Sequence, residues 1–107
     1  MPNTNIPDID TVTSLVVDQL REALSILDSP AAESADGTTP LVGGQAVLQS
    51  IDLVALIVDV EQRIADDYDL AITIADDRAM SQRTSPFRTP RSLAEYICVL
   101  LGEAAAA

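Results

Sequence analysis

The stretch Leu48-Gln49-Ser50-Ile51-Asp52-Leu53-Val54 decides how the chain is read. A loop carrying Gly43 and Gly44 runs into Ser50, and an apolar-periodic helix opens there at once. At about 100° per residue, Leu53, Leu56, Ile57, Val60 and Ile64 share one helix face. Asp52, Ala55, Asp59, Gln62, Arg63 and Asp66 fall on the other. Ile51, Val54 and Val58 stand at i, i+3 and i+7 and form a second apolar strip beside the polar face. Val54 is expected under the preceding loop. Ile51 and Val58 are candidates for a partner-docking surface, since small exposed apolar strips often mark one. A serine at such a junction has two uses. It can cap the helix by accepting a bond from a free backbone N–H, or hold a phosphate at the positive end of the helix dipole.

Working outward, an upstream helix is predicted over residues 10–27. Val12, Leu15, Val16, Leu20, Ala23, Leu24 and Leu27 recur at helical spacing, with Asp18, Arg21 and Glu22 elsewhere. Asp8 or Asp10 caps its start and Ser29-Pro30 stops it. Residues 29–49, punctuated by Pro30, Gly37, Pro40, Gly43 and Gly44, read as a long loop of the kind that is functional or disordered. Its polar first half is expected to be mobile. Its second half, with Leu41, Val42, Ala46, Val47 and Leu48, is expected to pack back on the bundle.

The second helix is expected over 50–66. Leu70, Ile72 and Ile74 then alternate as a strand would, but no second strand is available to pair with them. The reading is an extended linker pinned by those side chains. A short helical turn follows over 75–80, then a loop over 81–91 plugged by Phe87. Thr89-Pro90, a cap residue with proline at the first helical position, opens a last helix over 90–101. Its inner stripe is Leu93, Ile97, Leu100 and Leu101, flanked by Tyr96 and Cys98 and closed by Gly102. The expected fold class is all-α: a four-helix bundle with a long loop between helices 1 and 2 and a short third helix. It forms one domain over 1–107, with 1–8 and 103–107 as flexible tails.

Composition excludes several kinds of chemistry. Tyr68, Phe87 and Tyr96 are the aromatic residues, so the core must be aliphatic. Seventeen acids against six arginines, with no lysine, give a net charge of −11. Such a surface repels nucleic-acid phosphate and anionic lipid and suits a basic protein partner. With no histidine and with Cys98 the single cysteine, there is no Cys/His zinc site, no intramolecular disulfide and no His-assisted nucleophile. The polar N-terminus lacks the features of a signal peptide, and no apolar run has membrane-spanning length. The expectation is a cytoplasmic, monomeric protein that is not an enzyme. Charge is unevenly spread: Asp52 to Asp77 holds eight acids and only Arg63, while Arg78 to Arg91 holds four arginines and no acid.

The order of these parts resembles the acyl carrier protein family over roughly residues 12–101. Those parts are a helix, a long glycine-bearing loop, a serine heading an apolar and acidic helix, a short turn and a closing helix. The family's attachment motif is Asp-Ser-Leu at the head of its second helix, matched here by Gln49-Ser50-Ile51. Val60-Glu61-Gln62-Arg63-Ile64, and Thr-x-x-x-Leu-Ala-x-Tyr-Ile over 89–97, are also similar to it. The resemblance implies a free-standing carrier. Ser50 would bear 4′-phosphopantetheine as a phosphodiester, flanked by Gln49 and Ile51, with cargo held as a thioester. Partners would dock on Ile51, Asp52, Ala55, Val58, Asp59, Gln62 and Asp66. They would be a phosphopantetheinyl transferase, an acyl- or aminoacyl-activating ligase, and an acyltransferase or ketosynthase. The pathway would be fatty acid, polyketide or aminoacyl biosynthesis. Gln49 departs from the family's aspartate, and residues 81–88 look like an insertion, which implies a specialised subfamily with dedicated partners.

Other readings have less behind them. A calcium loop counted from Asp67 would need glycine at Ile72 and glutamate at Arg78, and fails. Asp76-Asp77 as an acid/base pair is weak because neighbours on a helix point about 100° apart. The rival to the carrier is an acidic helical-bundle interaction module without a prosthetic group.

Overall fold

The computed structural model describes residues 7–74 and 85–106. Among these the chain is all-helical, without strands. Helix α1 spans Ile9–Ile26, a 3-10 turn spans Pro30–Ala32, α2 spans Ser50–Tyr68 and α3 spans Pro90–Ala106. Three α-helices are thus present among the described residues, and the short third helix expected over 75–80 lies outside them.

Asp8 caps α1, its carboxylate accepting from the Thr11 amide at 2.8 Å. Val12, Val16, Leu20 and Leu24 are fully removed from solvent, and Leu15 and Val17 nearly so. The stripe is wider than expected, since Val17 joins it. The helix ends before Leu27, which is half exposed rather than part of the stripe. Asp28 adopts φ 56, its amide donating to the Ser25 carbonyl while the Ser29 amide donates to the Leu24 carbonyl. This pair of bonds satisfies the last carbonyls and swings the chain off the core just short of Leu27.

The loop over 29–49 is tethered along its length, including the polar half expected to be mobile. Arg21 reaches from α1 and donates twice to the Ala35 carbonyl, at 3.0 and 2.7 Å, with Ala35 buried beneath. The Arg91 amide donates to the Gly37 carbonyl at 3.0 Å, and the Leu41 amide to the Arg88 carbonyl at 2.8 Å. Backbone acceptors hold this segment. Its polar side chains gave no hint of that.

Helix α2 buries Leu56, Ile57, Val60 and Ile64, and Leu53 packs partly against the same core. It continues two residues past the expected end and stops at Asp69, which turns left-handed at φ 54. Arg63 sustains that last turn, donating to Asp67 at 3.1 Å and to the Gln19 side chain of α1 at 2.9 Å. Residues 70–74 form neither helix nor strand, and Leu70 and Ile72 pack partly against the core. Ile74 is fully buried and its amide donates to the Glu61 carboxylate at 2.6 Å.

Thr89 and Ser92 form a reciprocal cap on α3: each side-chain oxygen accepts from the other's amide, at 3.1 and 3.0 Å. Phe87 is buried ahead of it, and Leu93, Ala94, Tyr96, Ile97, Leu100 and Leu101 line its inner face. Gly102 does not close the helix, which runs on to Ala106. A helical glycine costs about 1 kcal/mol relative to alanine, and the alanines that follow offset this with the best intrinsic propensity. Helix α1 packs closely against α2, α3 and the 3-10 turn, whereas the backbones of α2 and α3 stand further apart and meet through the shared core.

Two outcomes are expected. Gly102→Ala, whose added Cβ meets nothing within 4 Å, should stabilise the protein by about 0.5–1 kcal/mol. Thermal unfolding followed by circular dichroism checks this, and an unchanged midpoint would mean that the helix ends before Gly102. The Asp8 carboxyl is held below its ordinary value of 3.8 by the bonds from Thr11. Its contribution is thus present above that value and lost as pH falls through the lowered one. The gap in unfolding midpoint between wild type and Asp8→Ala should be full at neutral pH and narrow on acidification below pH 3.8.

Candidate functional site

The junction between loop and α2 is built from backbone. Gln49 is extended at φ −78 and ψ 164, and its carbonyl accepts from the Leu53 amide at 2.9 Å. Gln49 is therefore the cap, although its side chain makes no capping bond. Ser50 is the first helical residue and does not cap, contrary to one of its two expected uses. Its side chain is exposed, and its hydroxyl makes no hydrogen bond among the described residues. The amides of Ser50, Ile51 and Asp52 precede the first i→i−4 bond of α2 and have no hydrogen-bond partner among the described residues, at the positive end of the helix.

The preceding loop folds into a closed finger. The Val47 amide donates to the Pro40 carbonyl at 3.1 Å, and the Ala46 amide to the Gly43 carbonyl at 3.2 Å. Leu41 and Leu48 are buried at its base, while Gly43, Gly44 and Gln45 stand exposed at its tip. Gly43 lies at φ 92, where a side chain is strained. Between finger and helix is an open recess of about 390 Å³, walled by Leu41, Val42, Leu48 and Leu53 together with Gln49 and Ser50.

The strip beside the serine faces outward. Ile51 is 75% exposed, Val54 59% and Val58 43%. Val54 does not lie under the loop as expected, because the finger closes on Leu41 and Leu48 instead. Ala55, Asp59, Gln62 and Asp66 are exposed and Asp52 half-buried on the adjoining face. Asp52, Asp59 and Asp66 have no ion-pair partner among the described residues. The seven expected docking positions thus share one surface of α2. Ile26 of α1, 76% exposed, belongs near them and was not singled out. Its position off the stripe of α1 was the available signal.

The arginines behave differently. Arg91 pairs with Asp10 at 3.1 Å and lies near Glu95, and Arg88 is exposed. Arg78 and Arg83 lie outside the described residues. Cys98 is half-buried, and burial, then the carboxylates of Asp8 and Glu95, push its thiol above the ordinary value. That leaves it a poor nucleophile. Among the described residues no group of acids or cysteine could hold a metal ion, and no helix is long and apolar enough to cross a membrane.

The residues present suit a phosphodiester at Ser50. The hydroxyl is exposed and unpartnered, and unclaimed first-turn amides lie beside it to favour an anion. Compared with protein-family models, with characterised proteins and with solved structures, the chain matches none.

The finger gives a paired prediction. Gly43→Ala should destabilise by about 1–2 kcal/mol because of its left-handed backbone. Gly44→Ala, with open space around its Cβ, should change stability by less than about 0.5 kcal/mol. Urea unfolding of the two variants side by side checks the contrast, and equal effects would contradict the finger geometry.

Proposed function

We propose that this chain is a carrier protein that bears 4′-phosphopantetheine on Ser50 and presents an acyl or aminoacyl thioester to separate enzymes. One observation carries the reading: an exposed hydroxyl with no partner among the described residues heads α2, beside an apolar strip and unpaired acids. A hydroxyl needed for folding would be engaged; this one is free to be esterified. Ser50 would hold the group, and the first-turn amides would favour its phosphate by about 0.3–1 kcal/mol if exposed. The arm, when attached, supplies a terminal thiol for the thioester.

Asp52, Asp59 and Asp66 are suited to basic patches on the transferase, on the activating ligase, and on an acyltransferase or ketosynthase. Ile51 and Val58 add apolar contact. Charge steering makes such docking fast and salt-sensitive, as a shuttle that must also release requires. Gln49, uncharged where the family has aspartate, favours a second reading: an acidic interaction module that uses the same surface without an arm.

The test is the intact mass of the protein after co-expression with a broad-specificity phosphopantetheinyl transferase. Wild type should gain one phosphopantetheine and Ser50→Ala none. Modification of Gln49→Asp alone would mean that the site needs a dedicated transferase. If neither wild type nor Gln49→Asp is modified, the carrier reading falls and the interaction module stands.

A further inference from the structure

A groove runs between the C-terminal half of α1 and the N-terminal half of α2, on the far side of the acidic row from Ile51 and Val58. It is open and encloses about 180 Å³. Ala23, Ile26, Leu27, Ala55 and Leu56 supply its apolar surface. Ile26 and Leu27 are 76% and 49% exposed. They sit where the turn at Asp28 carries the chain away from the bundle, and none of the described residues folds back over them. Gln19, Glu22, Asp52 and Asp59 complete the lining, and none of the described arginines is part of it. None of the three acids has an ion-pair partner among the described residues.

We infer that this groove docks a basic amphipathic helix of a partner protein, with one large apolar side chain of the partner seated against Ile26, Leu27 and Ala55 and its cations on Glu22, Asp52 and Asp59. A furrow between two packed helices takes a third helix through anchors spaced a turn apart. Charge selects this occupant. An acidic rim around an apolar floor attracts a segment whose apolar anchor is flanked by lysine or arginine. A second copy of this chain would bring acids against acids at a net charge of −11 each, and anionic lipid would be repelled likewise. The groove shares Asp52 and Asp59 with the surface proposed above but needs no arm on Ser50, so the two readings fail separately.

The test is an NMR titration of the isotope-labelled full chain with a synthetic helical leucine/lysine peptide. Two control peptides replace lysine by glutamate or leucine by serine. The amides of Ala23, Ile26, Leu27 and Ala55 should shift with the first peptide only, and less at high salt. Ile26→Asp should weaken binding about tenfold, while Ser50→Ala leaves it unchanged. Ile26 is exposed, so the variant should melt as wild type does; Leu27→Ser is the second variant should it not. Shifts centred instead on Ile51, Val54 and Val58 would overturn the inference. So would equal binding of the glutamate or serine peptide, or loss of the shifts in Ser50→Ala. A dimer in sedimentation that Ile26→Asp dissociates would assign the groove to a second copy.

Discussion

Val12, Val16, Leu20 and Leu24 lie a turn apart along α1, and none of them reaches solvent. Helix α2, helix α3 and the 3-10 turn each pack closely on α1, while the backbones of α2 and α3 stand further apart. The apolar stripe of α1 is thus the common wall of the described structure. Burying one such side chain contributes about 1.5–3 kcal/mol. With three aromatic residues in the chain, the core is filled by many small aliphatic groups rather than a few large plates. Truncating Leu20 to alanine would leave a cavity costing about 2–5 kcal/mol, and every other element would feel it. The scarce cations follow the same plan. Arg21 ties α1 to Ala35, Arg63 ties α2 to Gln19, and Arg91 ties α3 to Asp10. The exposed Arg91–Asp10 pair contributes roughly 0–1 kcal/mol, and the two part-buried bonds roughly 0.5–3 kcal/mol each. Their effect is to fix where loop and helices sit on the wall that burial provides.

That arrangement explains why α2 has a free face. A helix packed against one neighbour buries one side, and here the buried side is Leu56, Ile57, Val60 and Ile64. Among the described residues no second helix covers the rest, and Ile51, Val54 and Val58 are exposed beside Asp52, Asp59 and Asp66. Arg63 of the same helix is taken up by Asp67 and Gln19, and Asp52, Asp59 and Asp66 have no ion-pair partner among the described residues. Self-repulsion among them opposes compactness, and the aliphatic core must offset it. A surface that opposes folding in this way is suited to a task outside folding.

Much of this was legible in the residues, and the failures have physical causes. The periodicity of Val12 to Leu24 and of Leu53 to Ile64 marks two helices because a 3.6-residue repeat of apolar groups has few other uses. The jump from Gly43-Gly44 to that repeat locates Ser50 at a helix start. Whether Ser50 caps or follows the cap depends on the backbone angles of Gln49 alone, which no pattern encodes. Val54 lies at the edge of the apolar arc, where spacing cannot say if a loop covers it. The polar run over 33–39 looked loose because its anchors are carbonyls, and carbonyls are the same in every residue. Gly102 marked an end on propensity, and the alanines after it outweighed a cost of about 1 kcal/mol.

The cap at Gln49 bears on the site in a further way. Aspartate there could accept from a first-turn amide and interact with the helix dipole, which together stabilise a helix by about 1 kcal/mol. Glutamine makes no such bond here, so the fold gains nothing from it. The consequence is that the amides of Ser50, Ile51 and Asp52 stay unclaimed by the residue best placed to take them. Fold stability would favour aspartate at position 49. The residue actually present leaves the first turn of α2 without a side-chain cap, so burial of Leu56, Ile57, Val60 and Ile64 has to hold the helix.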